Sequence, residues 1–389
     1  MSGIVLSASV RQNLLSLQST AELLSTTQNR LSTGKKVNTA LDNPTNFFTA
    51  QGLDNRASDI SNLLDGIGNG VQVLQAANTG LTSLQKLVDT AKSIASQVLQ
   101  TTVGYSSKST VTSAVAVGTA ANLVDGVGIK SGDTLTIGAT GGGTATSITF
   151  GASESLDQLN AALAANNLTA SLNGAGKLVF TTTNDAASAT IGAVASSSAG
   201  TVGTAFTGLT PTAPVADAAS QAIRANLVTQ YNNIVAQITT TAQDASFNGI
   251  NLLNGDVLKL TFNETGKSTL SITGVTYNAI GLGLNTLVTG TDFLDNNTTN
   301  KVITALGAAS TSLRTEASAL GSNLSIVQIR QDFSKSLINV LQTGSSNLTL
   351  ADTNEEAANS QALSTRQSIA VSALSLSNQA QQSVLQLLR

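Results

Sequence analysis

Apolar residues recur near both ends of the chain at alternating intervals of four and three positions. This heptad spacing is typical of α-helices that pack against one another along a seam. In the helix near the C-terminus a second apolar stripe lies beside the first, and the resulting arc is too wide for one neighbour to cover. We therefore expect a chain that assembles through these helices. The expected subunit-interface residues are Val10, Leu14, Leu17, Leu24 and Leu31, together with Leu363, Ile369, Leu374, Leu376, Val384, Leu387 and Leu388.

The interior of the chain predicts three more long helices. The longest heptad pattern runs from Leu63 to Val98, and a helix of that length would measure roughly 50 Å. Similar spacing marks Ala219–Thr241 and a segment from about Lys301 to Thr343. Matched periods in distant segments predict one helical bundle. Its expected packing residues are Leu63, Ile67, Leu74, Leu81, Leu84 and Val88 in the first helix and Leu313, Leu320, Leu324 and Val327 in the third.

A β-hairpin is predicted between the second and third of these helices. The segments Val257–Phe262 and Ser268–Ile272 alternate apolar and polar residues, and the turn between them contains Gly266. This pattern is typical of two antiparallel strands. The apolar residues that define the hairpin are Leu258, Leu260, Leu270 and Ile272.

Residues from about Val103 to Pro214 differ in composition from the rest of the chain. Gly, Ser, Thr and Ala dominate, the heptads disappear, and short alternating runs begin near Thr134, Thr146 and Lys177. Ser155–Ala165 predicts one short helix with Ser155 as its N-cap. We expect a small β-rich module inserted into a helical frame, with a disordered linker as the alternative. The three prolines, Pro44, Pro211 and Pro214, are expected boundaries, the first closing or kinking the first helical region.

Composition excludes several classes of partner. Charged residues make up 11% of the chain, against about 25% in a typical soluble domain, and the formal net charge is −3. No basic field indicates nucleic acid. No segment approaches the ~20 apolar residues of a membrane-spanning helix. We expect neither nucleic-acid binding nor membrane insertion.

The residue types that catalysis most often needs are missing. The chain contains no histidine and no cysteine, which excludes a Ser-His-Asp triad, a Cys-His pair and a His-ligated zinc site. The carboxylate pairs Glu355–Glu356 and Asp292/Asp295 are expected on the solvated surface. We therefore expect no enzymatic activity, no catalytic or metal site and no cofactor.

Three motifs resemble bacterial flagellins, in the order that the family has them. Leu31–Pro44 (LSTGKKVNTALDNP) resembles the segment that follows the first flagellin helix. Asp244–Leu253 (DASFNGINLL) resembles the turn before the flagellin hairpin, and Asn378–Arg389 (NQAQQSVLQLLR) resembles the end of the family. The resemblance covers roughly residues 1–102 and 216–389, while the middle segment resembles flagellin inserts only loosely.

The resemblance implies an architecture of three layers. Residues 1–43 and 349–389 would form an inner coiled-coil domain of the filament core, and residues 44–102 and 216–348 a helical bundle with its hairpin. Residues 103–215 would form a surface-exposed variable domain. The implied fold is mainly α, with a long antiparallel helical bundle and coiled coil from both termini, one β-hairpin and an outward-facing α+β insert.

The resemblance also implies a function and its partners. The chain would self-assemble into the extracellular bacterial flagellar filament used for swimming, a helical homopolymer of itself. Its implied partners are the flagellar export apparatus of the type III kind, an export chaperone at its C-terminal helices, the filament cap and the hook-associated proteins. A hook–filament junction protein of the same superfamily is the nearest alternative, and a module of residues 103–215 that binds carbohydrate or a host surface is another.

Two further expectations come from the family. In flagellins the equivalent of the hairpin is linked to switching between subunit packings, with a structural cap over the bundle as the alternative. Family members also activate a Toll-like receptor through the first bundle helix. An ungapped alignment places the family's key arginine at Thr90 and a leucine at Ile94. Without the arginine a cationic anchor is lost, so we expect weak or absent receptor activation.

Overall fold

The computed structural model describes residues 8–197 and 203–387. Within these residues the chain forms six α-helices and ten β-strands. All of the strands lie in sequence between the second helix and the fifth. The predicted class, mainly α with an inserted β-rich domain and one β-hairpin, is confirmed. The helices are α1 (Ala8–Thr33), α2 (Pro44–Gln100), α3 (Leu156–Leu163), α4 (Ala218–Asp244), α5 (Asn296–Thr349) and α6 (Thr353–Leu387).

Residue contacts divide the chain into two compact units. The first unit contains the residues up to Asn69, the segment Leu260–Leu270 and the residues from Ile326 onward. The second unit contains Gly70–Lys259 and Ser271–Ser325. The predicted domains 1–43 with 349–389, 44–102 with 216–348, and 103–215 describe layers of an assembly, and they stay a prediction.

In the first unit, two residues set the loop between α1 and α2. Gly34 follows the last residue of α1 and has a φ of +67°, a conformation that ends helices because glycine has no Cβ to clash. Pro44 is the first residue of α2, where its missing N–H costs nothing, and the Asn43 side chain accepts the Asn46 N–H at 3.0 Å. The expectation that Asn43–Pro44 closes the first helical region was wrong, because the helix already ends at the glycine.

The heptad residues of the bundle helices are mostly buried. Leu74, Leu84 and Val88 of α2 are fully buried in the second unit, and α4 contributes a buried stripe to the same unit. This periodicity could be predicted from the sequence because aliphatic residues occupy nearly every heptad position of α2. The other expected packing residues are buried at Ile67, Leu81, Leu313, Leu320 and Val327 and half-buried at Leu63 and Leu324.

The β-rich module is folded in its described residues, 103–197 and 203–215. Its two three-stranded antiparallel sheets have the orders β2-β6-β5 and β4-β3-β7. They share a core in which the rings of Phe150 and Phe206 stack at 5.8 Å and Phe180 packs beside them. The disordered-linker alternative therefore does not hold for the described residues. The strands are β1 (Tyr105–Ser107), β2 (Thr110–Ala116), β3 (Thr134–Ile137), β4 (Thr146–Thr149), β5 (Leu168–Leu172), β6 (Lys177–Thr182), β7 (Val194–Ser197) and β8 (Val215–Ala216).

The predicted helix and hairpin are both present. The Ser155 side chain accepts the Gln158 N–H while the Gln158 side chain accepts the Ser155 N–H, which is a capping box at the start of α3. The hairpin pairs β9 (Val257–Thr261) with β10 (Thr269–Thr273). Gly266 lies in its turn with a φ of +69°. Leu258, Leu260 and Ile272 are buried, and Leu270 is half-buried.

Candidate assembly surface

Helix α6 uses one of its two apolar stripes to pair with α1 of the same chain. The shielded side chains of α6 recur at steps of four and three, which is the heptad expected from the sequence. We call this set the inner stripe. It consists of Glu356, Ser360, Leu363, Gln367, Ala370, Leu374 and Ser377.

Helix α1 pairs through a stripe that contains Val10, Leu17 and Leu24 of the expected interface but not Leu14 and Leu31. Its shielded positions alternate between apolar and small polar residues, so that Asn13, Thr20 and Thr27 occupy every second step. Leu14 and Leu31 lie beside this seam and are 38% and 39% exposed. The pair of helices therefore leaves two of the predicted interface leucines partly open to solvent. The shielded α1 positions are Val10, Asn13, Leu17, Thr20, Ala21, Leu24, Thr27 and Arg30.

None of the described residues covers the second stripe of α6. Ile369 is 63% exposed and Leu376 is 69% exposed, and the alanines of the stripe are exposed as well. We call this set the outer stripe. It consists of Ala362, Ile369, Ala373, Leu376 and Ala380 within the residues whose side chains the structure describes.

A groove runs between α1 and α6 next to the outer stripe. Its volume is about 550 Å³, and its walls mix hydroxyl, amide and apolar groups. Leu23 of α1 and Ile369 of α6 face it together with Arg366. Two large apolar side chains beside an open groove make a surface that another helix could fill.

Helix α5 carries a further exposed apolar row in the first unit. Ile326, Ile329, Phe333 and Val340 are exposed at helical intervals of three, four and seven residues. Contiguous apolar surface of this kind marks interaction sites. The first unit therefore offers two exposed apolar surfaces, the outer stripe and this α5 row.

Polar contacts fix the base of the α1–α6 pair. An Arg30 Nη1–Glu356 Oε1 ion pair of 3.3 Å joins the two helices. Beside it, the Lys36 N–H donates to the Thr349 carbonyl at 2.7 Å and the Ala351 N–H to the Gly34 carbonyl at 3.0 Å. The expectation that Glu356 belongs to the solvated surface was wrong: it is 8% exposed, because it occupies a seam position and has a cationic partner.

The structure does not describe the side chains of three expected interface residues near the C-terminus. Val384 and Leu387 belong to α6, but their side chains are not among those that the structure describes. Leu388 lies outside the described residues. Their part in the interface stays a prediction.

The tip of the hairpin is anchored by two arginines of the first unit. Arg56 Nε of α2 donates to Glu264 Oε1 at 2.8 Å. The guanidinium of Arg330 from α5 lies 5.6 Å from the centre of the Phe262 ring, a cation–π distance. The hairpin is therefore held through contacts that substitutions in the chain can weaken one at a time.

The receptor-related position on α2 is at the surface. Thr90 is exposed, and its hydroxyl donates to the Lys86 carbonyl one turn earlier at 2.9 Å. Ile94 is half-buried. A threonine whose hydroxyl bonds its own helix provides no cationic anchor at this point.

The remaining polar groups cap helices and turns. Backbone N–H groups of Thr39 and Asn38 lower the pKa of the Asp42 carboxyl below its ordinary value. Hydrogen bonds from Ser220 lower the pKa of Asp217, the N-cap of α4. Among the described residues no three His, Cys, Asp or Glu side chains are grouped as metal ligands would be. In the same part of the chain no helix combines the length and hydropathy of a membrane span.

Comparison with known sequences places two long segments in one family. Residues 5–119 match the bacterial flagellin N-terminal helical region, and residues 303–388 match the bacterial flagellin C-terminal helical region. The first match includes α1, and the second includes α6.

Several curated proteins are similar to this chain. "Flagellin FljM" of Caulobacter vibrioides is 33% identical over 168 residues, which cover 42% of this chain and 59% of that relative. A "Flagellin" of Brucella melitensis is 29% identical over 184 residues, covering 44% and 64%. "Flagellin A" of Rhizobium meliloti is 36% identical over 88 residues, covering 23% and 22%. The similarity thus spans less than two thirds of the relatives that it matches, and it is concentrated in part of the chain.

Proposed function

Because this chain belongs to the bacterial flagellin family, we propose that it is a structural subunit that assembles with copies of itself into the helical flagellar filament used for swimming. The observation that carries the proposal is the outer stripe of α6. The inner stripe is already occupied by α1, so a neighbour from another subunit is needed to cover Ile369 and Leu376.

Burial of the exposed apolar side chains would favour assembly. Burying one large aliphatic side chain contributes about 1.5–3 kcal/mol, and the outer stripe and the α5 row repeat in every subunit. Against this stand the losses of rigid-body freedom and side-chain entropy on association. Contacts between unlike surfaces that do not close on themselves produce open helical fibres, which is the form that a filament requires.

The direct test is assembly by the purified chain. Filaments would be dissociated by heat, the monomer mixed with short filament seeds, and the product viewed by negative-stain electron microscopy. We expect long filaments of uniform width. A chain that stays monomeric in the presence of seeds would argue against a filament subunit.

The hook–filament junction protein is the second candidate within the superfamily. The Phe247–Gly249 turn, in which Asn248 and Gly249 both have positive φ, supports the filament subunit because this segment resembles flagellin. Copy number separates the two. A filament subunit is the bulk protein of purified filaments, whereas a junction protein is present in only a few copies.

The cellular partners are part of the same proposal. We propose export through the flagellar type III apparatus with a chaperone on the C-terminal helices, and contacts with the filament cap and hook-associated proteins outside the cell. Family membership supports these partners. Loss of the extracellular protein in a strain without the export apparatus is the expected result, and continued secretion there would contradict it.

We also propose weak or absent activation of the Toll-like receptor. The support is the exposed Thr90 at the position that the alignment assigns to an arginine. A receptor-reporter assay with purified monomer tests this, and a strong response at low concentration would overturn it.

A further inference from the structure

A group of buried and half-buried polar side chains lies where the β-rich module meets the helices of the second unit. Four residues define this junction cluster: Ser188, Arg224, Asp295 and Asn297. Arg224 is 1% exposed and Asp295 is 4% exposed. Charged side chains are rarely buried to this degree unless hydrogen bonds satisfy them.

Arg224 of α4 binds the carboxyl end of α2. Its Nη2 donates to the carbonyls of Val98 and Thr101, both at 3.1 Å, and its Nε donates to Thr102 at 2.8 Å. Its Nη1 donates to the Phe293 carbonyl at 2.5 Å, in the loop before α5. One guanidinium therefore ties together three segments of the second unit, at the point where the chain leaves α2 for the module.

Asp295 connects this point to the module itself. Its Oδ1 accepts the Thr298 N–H and the Thr298 hydroxyl, both at 2.9 Å, at the start of α5. Its Oδ2 accepts the Ser188 hydroxyl of the module at 2.5 Å. The carboxylate thus binds a helix terminus and the module at the same time.

Asn297 makes a second connection between α5 and the module. Its Nδ2 donates to the Gly141 carbonyl at 2.8 Å. This contact and the Ser188–Asp295 bond join α5 to two separate loops of the module. Two contacts prevent a rotation of the module about α5 that a single contact would allow.

We propose that the junction cluster fixes the orientation of the β-rich module on α2, α4 and α5 of the second unit, so that the module and these helices move as one body. The covalent connection alone would not achieve this. The chain enters the module after Thr102 and leaves it before Asp217, and the short β1–β8 pair joins the two crossings. A two-strand ribbon is marginally stable by itself, whereas the cluster adds hydrogen bonds to a buried carboxylate and a side-chain amide.

Every contact of the junction cluster lies within one chain, so the cluster acts in the monomer as well as in a filament. In an assembly it has a consequence for the outer surface. Modules fixed in the same orientation on each subunit would present a repeating surface rather than a mobile fringe.

The test uses two spin labels in the full chain, which contains no native cysteine. Labels at Ser147→Cys on β4 and Ala308→Cys on α5 occupy exposed positions. Pulsed electron–electron resonance then measures the distribution of distances between the module and α5. With the cluster intact we expect one narrow distribution.

The variant Ser188→Ala/Asn297→Ala removes both connections to α5 while it retains Arg224 and the Asp295 cap. We expect the distance distribution to broaden by about twofold or more, with circular dichroism unchanged. The matched control, Ser171→Ala/Asn300→Ala, changes one exposed serine of the module and one exposed asparagine of α5, and should stay narrow. The single variant Asn297→Ala removes only the hydrogen bond from Asn297 to the Gly141 carbonyl. It replaces the double variant in the test if the double variant unfolds.

A distribution that is already broad with the cluster intact would overturn the proposal. So would a distribution that stays as narrow in both cluster variants as in the control. Broadening confined to the cluster variants would support it.

Discussion

At the residue scale, the burial of polar side chains could not be predicted from the sequence. Asp295 was expected on the solvated surface together with Glu356, and both are buried because each has polar partners far away in the chain. A single sequence gives no sign of such partners. Arg224 did leave a signal, because it continues the buried α4 stripe of Val228, Tyr231, Val235, Ile238 and Ala242 at steps of four and three. A charged residue at a core position of a heptad predicts a specific polar contact there.

The Asp217 cap predicts how the stability of the chain depends on pH. Hydrogen bonds from the Ser220 hydroxyl and N–H lower the folded-state pKa of Asp217 below 3.8. Its contribution is therefore complete above that value and is lost as the pH falls through the lowered pKa. Asp217→Asn keeps a capping oxygen but does not titrate. We expect the stability difference between the original chain and the variant to shrink as pH falls from 5 to 2, measured by thermal unfolding.

The difference between the two proteins cancels the titration of all other carboxyl groups. A stability difference that stays constant over this pH range would contradict the assigned role of Asp217. It would mean that the cap contributes equally in its neutral and charged forms.

At the element scale, aliphatic heptads were predictable and mixed ones were not. The α2 stripe was read correctly because Leu, Val and Ala occupy nearly every step. In α1 the seam with α6 alternates the expected Val10, Leu17 and Leu24 with polar residues. These polar positions, Asn13, Thr20 and Thr27, carry no apolar signal. The strands β1, β2, β5, β7 and β8 were missed because Ser, Thr and Ala fill most of their positions, which leaves few large apolar residues to mark an alternating pattern.

The hairpin predicts a measurable effect on filament form if it takes part in switching. Gly266 has a φ of +69° with open space around it, so Gly266→Val would add strain of about 1–2 kcal/mol in the turn without a clash. We expect an altered distribution of filament shapes and poorer swimming, observed by dark-field microscopy. Gly283→Val is the matched control, since Gly283 has a φ of +71° and equal space but lies outside the hairpin.

If filaments of the Gly266 variant keep the shape and swimming speed of the control, the hairpin acts as a structural cap rather than a switch. The anchors Arg56–Glu264 and Arg330–Phe262 would then serve only to hold it. A change confined to the Gly266 variant supports the switching function.

At the scale of the whole molecule, the sequence predicted the architecture because distant segments share one period. Helical ends, a long bundle, a hairpin and a β-rich insert each have a distinct pattern of apolar residues. The polar contacts between these elements have none, which is why the junction cluster and the polar positions of the α1 seam emerged only from the structure. The proposed function depends most on one surface, the outer stripe of α6.

Seeded growth of charged α6 variants tests whether subunits assemble through the outer stripe. In Ile369→Asp/Leu376→Asp two charges enter the outer stripe, whereas Ser372→Asp/Gln379→Asp adds the same charges at exposed polar positions of the same helix. An unpaired charge buried at an interface costs several kcal/mol. We predict that the outer-stripe variant keeps the helix content of the monomer but does not extend seeds, while the control grows filaments. Normal filaments from the outer-stripe variant would show that the outer stripe is not an assembly surface.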